Sequence, residues 1–293
     1  MPNRDPDRGT SVSTVLARRL GGELLRLREG LGLRQSHAAE ALTASIAKVA
    51  KMERGLVPMR DPDVRALCHL YGVDDEDMVA GLIQLARLDR ERRKARGWWR
   101  HDPEVGSLAE YIAMEDAATH IRTWQMALIP GLLQTADYVR SMCVVSETWR
   151  EPDEIEPIVT VRIKRQARLR GETPLRFHAV ISEAALRQEI GGPAVMRNQL
   201  DHLVESAGLP NVHIQVLPFR TGAHPGLSGA FTVISFAEPG AVDVGYNESI
   251  SSTVWVESKD GSEVYTRTFD RLARLSLAPR DSVNLIASIS KEL

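Results

Sequence analysis

From Leu16 onward apolar residues return every three or four positions, at Leu20, Leu24, Leu27 and Leu31. That spacing buries one face of a helix, and Gly30 or Gly32 is placed to end it. The same period predicts a short second helix from Gln35 to Leu42, burying Ala38, Ala39 and Leu42. A third begins behind Ser45, a side chain suited to capping, turns Ile46, Val49 and Met52 to one side, and stops at Gly55. Asp61 is expected to cap a fourth helix with Pro62 at its first position, Val64, Leu67 and Leu70 inward and Gly72 at its end. Asp74 is expected to cap a fifth, acidic in its first turn at Asp75, Glu76 and Asp77, with Met78, Leu82 and Leu85 inward. Five short helices with tight connections predict a compact all-α domain.

The pattern changes character beyond a basic stretch that reaches Arg100. Helical periodicity continues through residues 107–121, 134–143 and 153–169, and then short β-branched runs bounded by Pro or Gly predict strands at 176–181, 212–217, 231–236, 242–246 and 253–257. A helix with Pro193 near its start and Met196, Leu200 and Leu203 inward separates the first two strands. Two more close the chain, one lined by Tyr265, Phe269 and Leu272, the other by Val283, Ile286 and Ile289. The fold class is therefore α+β: an N-terminal five-helix domain joined to a larger domain of helices and a short-stranded, mainly antiparallel sheet, its last three strands forming a meander. The expected organisation is a flexible arm at 1–14, a helical domain at 15–86, a basic connecting helix and linker at 87–106, and a C-terminal regulatory or partner-binding domain at 107–293.

Composition narrows the setting. Of 293 residues 43% are hydrophobic and 26% charged, which excludes a disordered chain. Cys68 and Cys143 are too few for a disulfide framework and too far apart in sequence for a structural zinc site. A polar N-terminus and the lack of any apolar run near the roughly 18 residues of a membrane span point to the cytoplasm. Charge is uneven: residues 1–100 carry 19 basic and 14 acidic side chains, net +5, while the remainder carries 18 and 25, net −7. A basic head on an acidic body fits a nucleic-acid partner.

The head carries the chemistry for one. A helix-turn-helix needs a short helix, a tight corner and a second helix whose leading residues enter the major groove of double-stranded DNA. Residues 35–54 supply this order, with Ala39 small where the helices cross and Val49 and Met52 as buried anchors. The candidate DNA-binding residues are Gln35 and Ser36 at the first helix, Ser45, Ile46, Ala47, Lys48 and Lys51 on the second, and Arg54 beyond. The blocks Leu24-Leu25-Arg26-Leu27-Arg28, Gly32-Leu33-Arg34-Gln35, Ala44-Ser45 and Met52-Glu53-Arg54-Gly55 resemble the xenobiotic-response-element (XRE) class of bacterial regulators over residues 18–72. Two departures matter. Thr43 stands where that class has a corner glycine, and Ile46 and Ala47 replace side chains that make bidentate bonds to bases, so affinity should lean on phosphates. Regulators of this kind bind pseudo-palindromic operators as homodimers, and the resemblance implies one here.

The resemblance continues through Arg96-Gly-Trp-Trp99, Tyr111-Ile-Ala-Met-Glu-Asp-Ala-Ala, Ile121-Arg-Thr-Trp124, Ile129-Pro-Gly-Leu-Leu-Gln-Thr-Ala-Asp-Tyr138, Val212-His-Ile-Gln-Val-Leu-Pro-Phe219 and Gly222-Ala-His-Pro-Gly-Leu227. These blocks are similar to a large group of actinobacterial XRE regulators, some antitoxin-like, whose C-terminal domain is uncharacterised. The group implies a regulator often encoded beside a small partner protein. No nucleophile elbow, phosphate-loop signature or His-Glu-x-x-His motif is present, so neither an enzyme nor a cofactor is expected. His178 and His213, on predicted strands, read as hydrogen-bonded residues rather than metal ligands. Ligand- or partner-binding candidates are His224 in the turn-rich loop 220–228 and Trp98, Trp99 and Trp124, which either line a groove or pack a junction. Control of the head would come from a small protein partner docking on the large domain or, alternatively, from a small-molecule effector.

Overall fold

The computed structural model describes residues 15–94, 108–145, 152–237, 242–249 and 252–293. The predicted arm at 1–14, and Trp98 and Trp99, lie outside them. The chain divides into two compact units, residues 1–97 and 98–293.

In the first unit α1 (Val15–Gly30), α2 (Gln35–Ala41), α3 (Ile46–Glu53), α4 (Asp61–Leu70) and α5 (Glu76–Lys94) follow the predicted order. Leu20, Leu24, Ala38, Ala39, Val49, Met52, Val64, Leu67, Leu82 and Ile83 meet in its core. Gly32 ends α1 in the left-handed conformation, φ +66°. Two caps move by one residue: Arg60 precedes α4, so Asp61 and Pro62 are its first two residues. Asp75, not Asp74, caps α5, its Oδ1 accepting from the amides of Asp77 at 2.9 Å and Met78 at 3.2 Å. No Pro or Gly interrupts the chain after Gly81 until Gly97, and α5 runs unbroken past residue 86, so the predicted connecting helix is its continuation.

The second unit holds α6 (Ala109–Ala117), β1 (His120–Gln125), α7 (Ala136–Val144), α8 (Pro152–Arg165), β2 (Arg176–Ser182), α9 (Glu183–Arg187), α10 (Pro193–Ser206), β3 (Val212–Leu217), β4 (Phe231–Ser235), β5 (Val244–Glu248), β6 (Thr253–Val256), α11 (Lys259–Leu275) and α12 (Pro279–Glu292). The sheet is mixed, in the order β3-β2-β1-β4-β5-β6. β4, β5 and β6 form the predicted antiparallel meander, whereas β1, β2 and β3 run parallel through helical crossovers. Where helical periodicity predicts a helix through Ile121, the structure has β1, the strand that joins the two halves. Ile121, Thr123 and Trp124 are buried and none of the six residues is fully exposed, so this strand has no open face and lacks the alternation that marks a half-exposed strand. Trp124, Val180, Phe231 and Val233 pack under Phe269 and Leu272 of α11 on one face. Thr123, bonded to Thr232 at 3.0 Å, and Phe177 face the other way.

Candidate nucleic-acid interface

Packing and hydrogen bonds hold the corner between α2 and α3. The Thr43 amide donates to Glu40 O at 3.0 Å and the Ala44 amide to Ala39 O at 2.8 Å, closing α2. Thr43 takes the left-handed conformation, φ +50°, which a β-branched residue seldom adopts. The next residue but one, Ser45, caps α3, its Oγ accepting from the Lys48 amide at 3.2 Å.

Val49 and Met52 anchor α3 in the core, which turns Ser45, Ile46, Ala47, Lys51 and Arg54 to solvent and leaves Lys48 half-buried. Ile46 is 54% exposed, an apolar side chain on the open face of a short helix. The Arg54 Nε lies back along the helix, 3.2 Å from Ala50 O. Ser36 is exposed on the first turn of α2. Gln35 is engaged elsewhere than expected: its Nε2 donates to Glu53 Oε2 at 2.7 Å rather than pointing outward.

Gln35 joins a buried network that sequence reasoning does not single out. Arg28 on α1 grips Glu53 at the end of α3 through two bonds, Nε to Oε1 at 2.6 Å and Nη2 to Oε2 at 3.1 Å, and its Nη1 donates to Leu33 O at 2.6 Å. Both side chains are more than nine-tenths buried. Burial together with the Glu53 charge pushes the Tyr71 hydroxyl up to about 12. The close approach of α1 to α3 requires glycine twice. A Cβ on Gly21 would lie 2.5 Å from Met52 O and against Glu53 O, and one on Gly55 would lie 2.5 Å from the Arg18 amide nitrogen. Arg28, Gln35, Glu53 and Gly55 all belong to the blocks that carry the family resemblance, but of these the sequence marks only Gln35 as a contact residue and Gly55 as a helix stop.

Basic residues beyond α3 are partly committed. Arg87 Nε and Arg90 Nη2 reach Asp61 at 2.7 and 2.6 Å and hold its carboxyl below the ordinary carboxylate range.

In the second unit Trp124 is fully buried, which removes it as a groove-lining residue. It sits on the central strand under α11, and its Nε1 donates to Gly226 O at 2.9 Å, pinning the loop from Phe219 to Ser228. A Cβ on Gly226 would meet that nitrogen at 2.5 Å. His224 stands edge-on to Trp124, with ring centroids 5.3 Å apart, and its buried Nδ1 has no hydrogen-bond partner. Burial holds its pKa below the ordinary histidine value. His178 is held by Gln215 Oε1 at 2.8 Å and packs against Phe269, and among the described residues no cluster of His, Cys, Asp and Glu is placed to hold a metal. No described helix is long and apolar enough to cross a membrane.

No curated protein and no solved structure matches the chain. Residues 19–81, the span of the corner and its supporting helices, match a helix-turn-helix domain. Residues 108–288, more than half of the chain and nearly all of the second unit, match a domain of unknown function (DUF5753). The chain thus belongs to the DUF5753 family and carries a helix-turn-helix domain ahead of that domain.

Proposed function

We propose that this protein is a transcriptional regulator of the XRE type, from the antitoxin-like actinobacterial group, and that it binds double-stranded DNA through α3. The observation that carries this reading is the open face of α3, where Ser45, Ile46, Ala47, Lys51 and Arg54 project from a helix fastened from behind by the Arg28–Glu53 pair. A helix so held enters a major groove as a rigid body. Ile46 and Ala47 offer thymine methyl contacts, Lys48 and Lys51 serve guanine or phosphate, and Ser36 lies at the first helix's leading turn, where phosphates pass. One such helix reads half a site, so the protein acts as a homodimer on a pseudo-palindromic operator. The second unit performs no catalysis in this reading; it decides when the head binds, through a small protein partner encoded nearby. The exposed Phe219 and Leu227 of the Trp124-pinned loop support that docking role.

The test is selection of operators from random duplex DNA, followed by mobility-shift titration across a salt series. The wild type should show a slope of log K against log salt that Lys48→Ala, Lys51→Ala makes shallower by about 1.8, at roughly 0.9 for each phosphate that a lysine no longer neutralises. Full affinity and an unchanged slope in that double variant would remove α3 as the reading element.

A further inference from the structure

Of the buried serines in the second unit, three are spoken for and one is not. Ser282 Oγ accepts from the Val216 amide at 2.9 Å, Ser290 Oγ donates to Asp201 Oδ1 at 2.7 Å and Ser262 Oγ donates to Lys259 O at 3.1 Å. Ser206, at the end of α10, is only 7% exposed, yet its hydroxyl has no hydrogen-bond partner among the described residues. Nor does it turn back on its own helix, as Ser141 and Thr268 do by donating to the carbonyl four residues earlier. A buried polar group without a protein partner is rare and calls for one from outside the chain.

Ser206 borders a cavity of about 240 Å³ walled by α10, by the end of α8 and by the single-turn helix Gln166–Leu169 that follows it. Leu132, Leu169 and Leu209 give the cavity an apolar lining, and Ile163, 40% exposed, adds an apolar side chain open to solvent. Two more polar groups line it with no hydrogen-bond or ion-pair partner among the described residues: the ring of His202, one turn before Ser206 on α10, and the guanidinium of Arg170. Burial holds His202 below the ordinary histidine value, so its ring is neutral at pH 7, and Arg170 is the one charge on the described wall. Glu205, whose carboxylate acts on His202, does not line the cavity.

A guanidinium fork matches a carboxylate, and a hydroxyl and a neutral imidazole can each donate one further bond to it. The volume is about eight times the roughly 30 Å³ that one water occupies in the liquid, and it lies below the range of about 300–1,000 Å³ typical of drug-sized ligands. The space therefore takes a molecule of about eight to ten heavy atoms and excludes a protein segment.

We propose that this cavity is a binding site for a small monocarboxylic acid with an apolar tail, its carboxylate held by Arg170, Ser206 and His202 and its tail lying on Leu132, Leu169 and Leu209. The site stands apart from DNA binding and gives the DUF5753 unit a chemical class of ligand.

The test is calorimetric titration of the full chain, without DNA, with hexanoate and phenylacetate, and with acetate and hexanamide as comparisons. At least one of the two larger acids should bind saturably. Its Kd should be at least about tenfold below that of acetate, which lacks the tail, and of hexanamide, which lacks the charge. Arg170→Gln should raise the acid's Kd about tenfold or more and erase its preference over the amide. Ala167→Trp, at an exposed position on the cavity wall, should abolish binding of both. Ser206→Ala should weaken the acid severalfold while the ligand-free thermal midpoint stays level or rises, because no protein hydrogen bond is lost. Absence of saturable binding by either acid, equal affinity for acid and amide in the wild type, or binding retained by Ala167→Trp overturns the site. A clear fall in the ligand-free midpoint of Ser206→Ala also overturns it, because the hydroxyl would then be serving the fold.

Discussion

At the scale of single residues, the helix-turn-helix rests on groups whose importance lies behind the reading face. Replacing Arg28 by Met leaves the Glu53 carboxylate buried without its cation, and Gln35 alone cannot compensate. Breaking a buried pair from one side typically costs about 3–5 kcal/mol, so Arg28→Met should lower the urea midpoint of the N-terminal unit accordingly. A loss below about 1 kcal/mol would mean that the pair contributes nothing beyond a surface bridge. Thr43 presents the opposite case. Its side chain is exposed and its backbone left-handed, so Thr43→Gly removes about 1–2 kcal/mol of strain and restores part of that to unfolded-chain entropy. A net gain of about 0.5–1 kcal/mol is expected in the same assay, with no change in operator affinity. The corner is legible in the sequence because capping and periodicity are local. The Arg28–Glu53 bond is not, because the two residues are 25 apart and nothing local distinguishes them from solvent-facing charges.

At the scale of elements, β1 and the loop from Phe219 to Ser228 illustrate how a long-range contact redefines a short motif. Helical periodicity runs on to Ile121 in the sequence, yet His120–Gln125 is the strand on which the parallel and antiparallel halves meet. Trp124 from that strand holds the loop through one indole hydrogen bond, and only glycine at position 226 lets the ring come close enough. Trp124→Phe strands the buried Gly226 carbonyl and leaves a small void. The expected cost is about 2–4 kcal/mol, accompanied by faster amide exchange between residues 219 and 228 than in the rest of the sheet. Uniform acceleration across the unit would show that the indole contributes bulk packing rather than a specific tether. The inward residues of α11, Phe269 and Leu272, are as predicted, since a strongly amphipathic helix states its buried face in its own sequence.

At the scale of the whole molecule, the two units should respond differently to acid. Burial lowers the pKa of His120, at the start of β1, to about 4, and lowers those of His178, His202 and His224 as well. A histidine kept neutral in the fold takes up a proton more readily when unfolded. Its contribution is therefore present above about pH 6.5 and is lost as pH falls towards 4. In the N-terminal unit the lowered carboxylates Asp61 and Asp63 act later: held ionised by Arg90 and Arg87 and by Arg60, they support the fold until the pH drops below the ordinary aspartate value near 4. Calorimetry between about pH 7 and 4.5 should show the transition of residues 98–293 moving down while that of residues 1–97 holds, and His120→Gln should flatten the first slope. Parallel movement of both transitions, or an unchanged slope in His120→Gln, would contradict this assignment.

The sequence by itself determined what local physics can express: five amphipathic helices, the capped corner, the β-branched runs of the meander, and the family blocks that tie the two units to known domains. Helix period, capping and strand alternation depend on residues within one or two turns of each other, so they survive without a fold. Partners were decided only by the tertiary structure. Which carboxylate meets Arg28 and which carbonyl meets Trp124 follow from where the closed chain brings distant groups, and desolvation there sets whether a charge is a clasp or a cost.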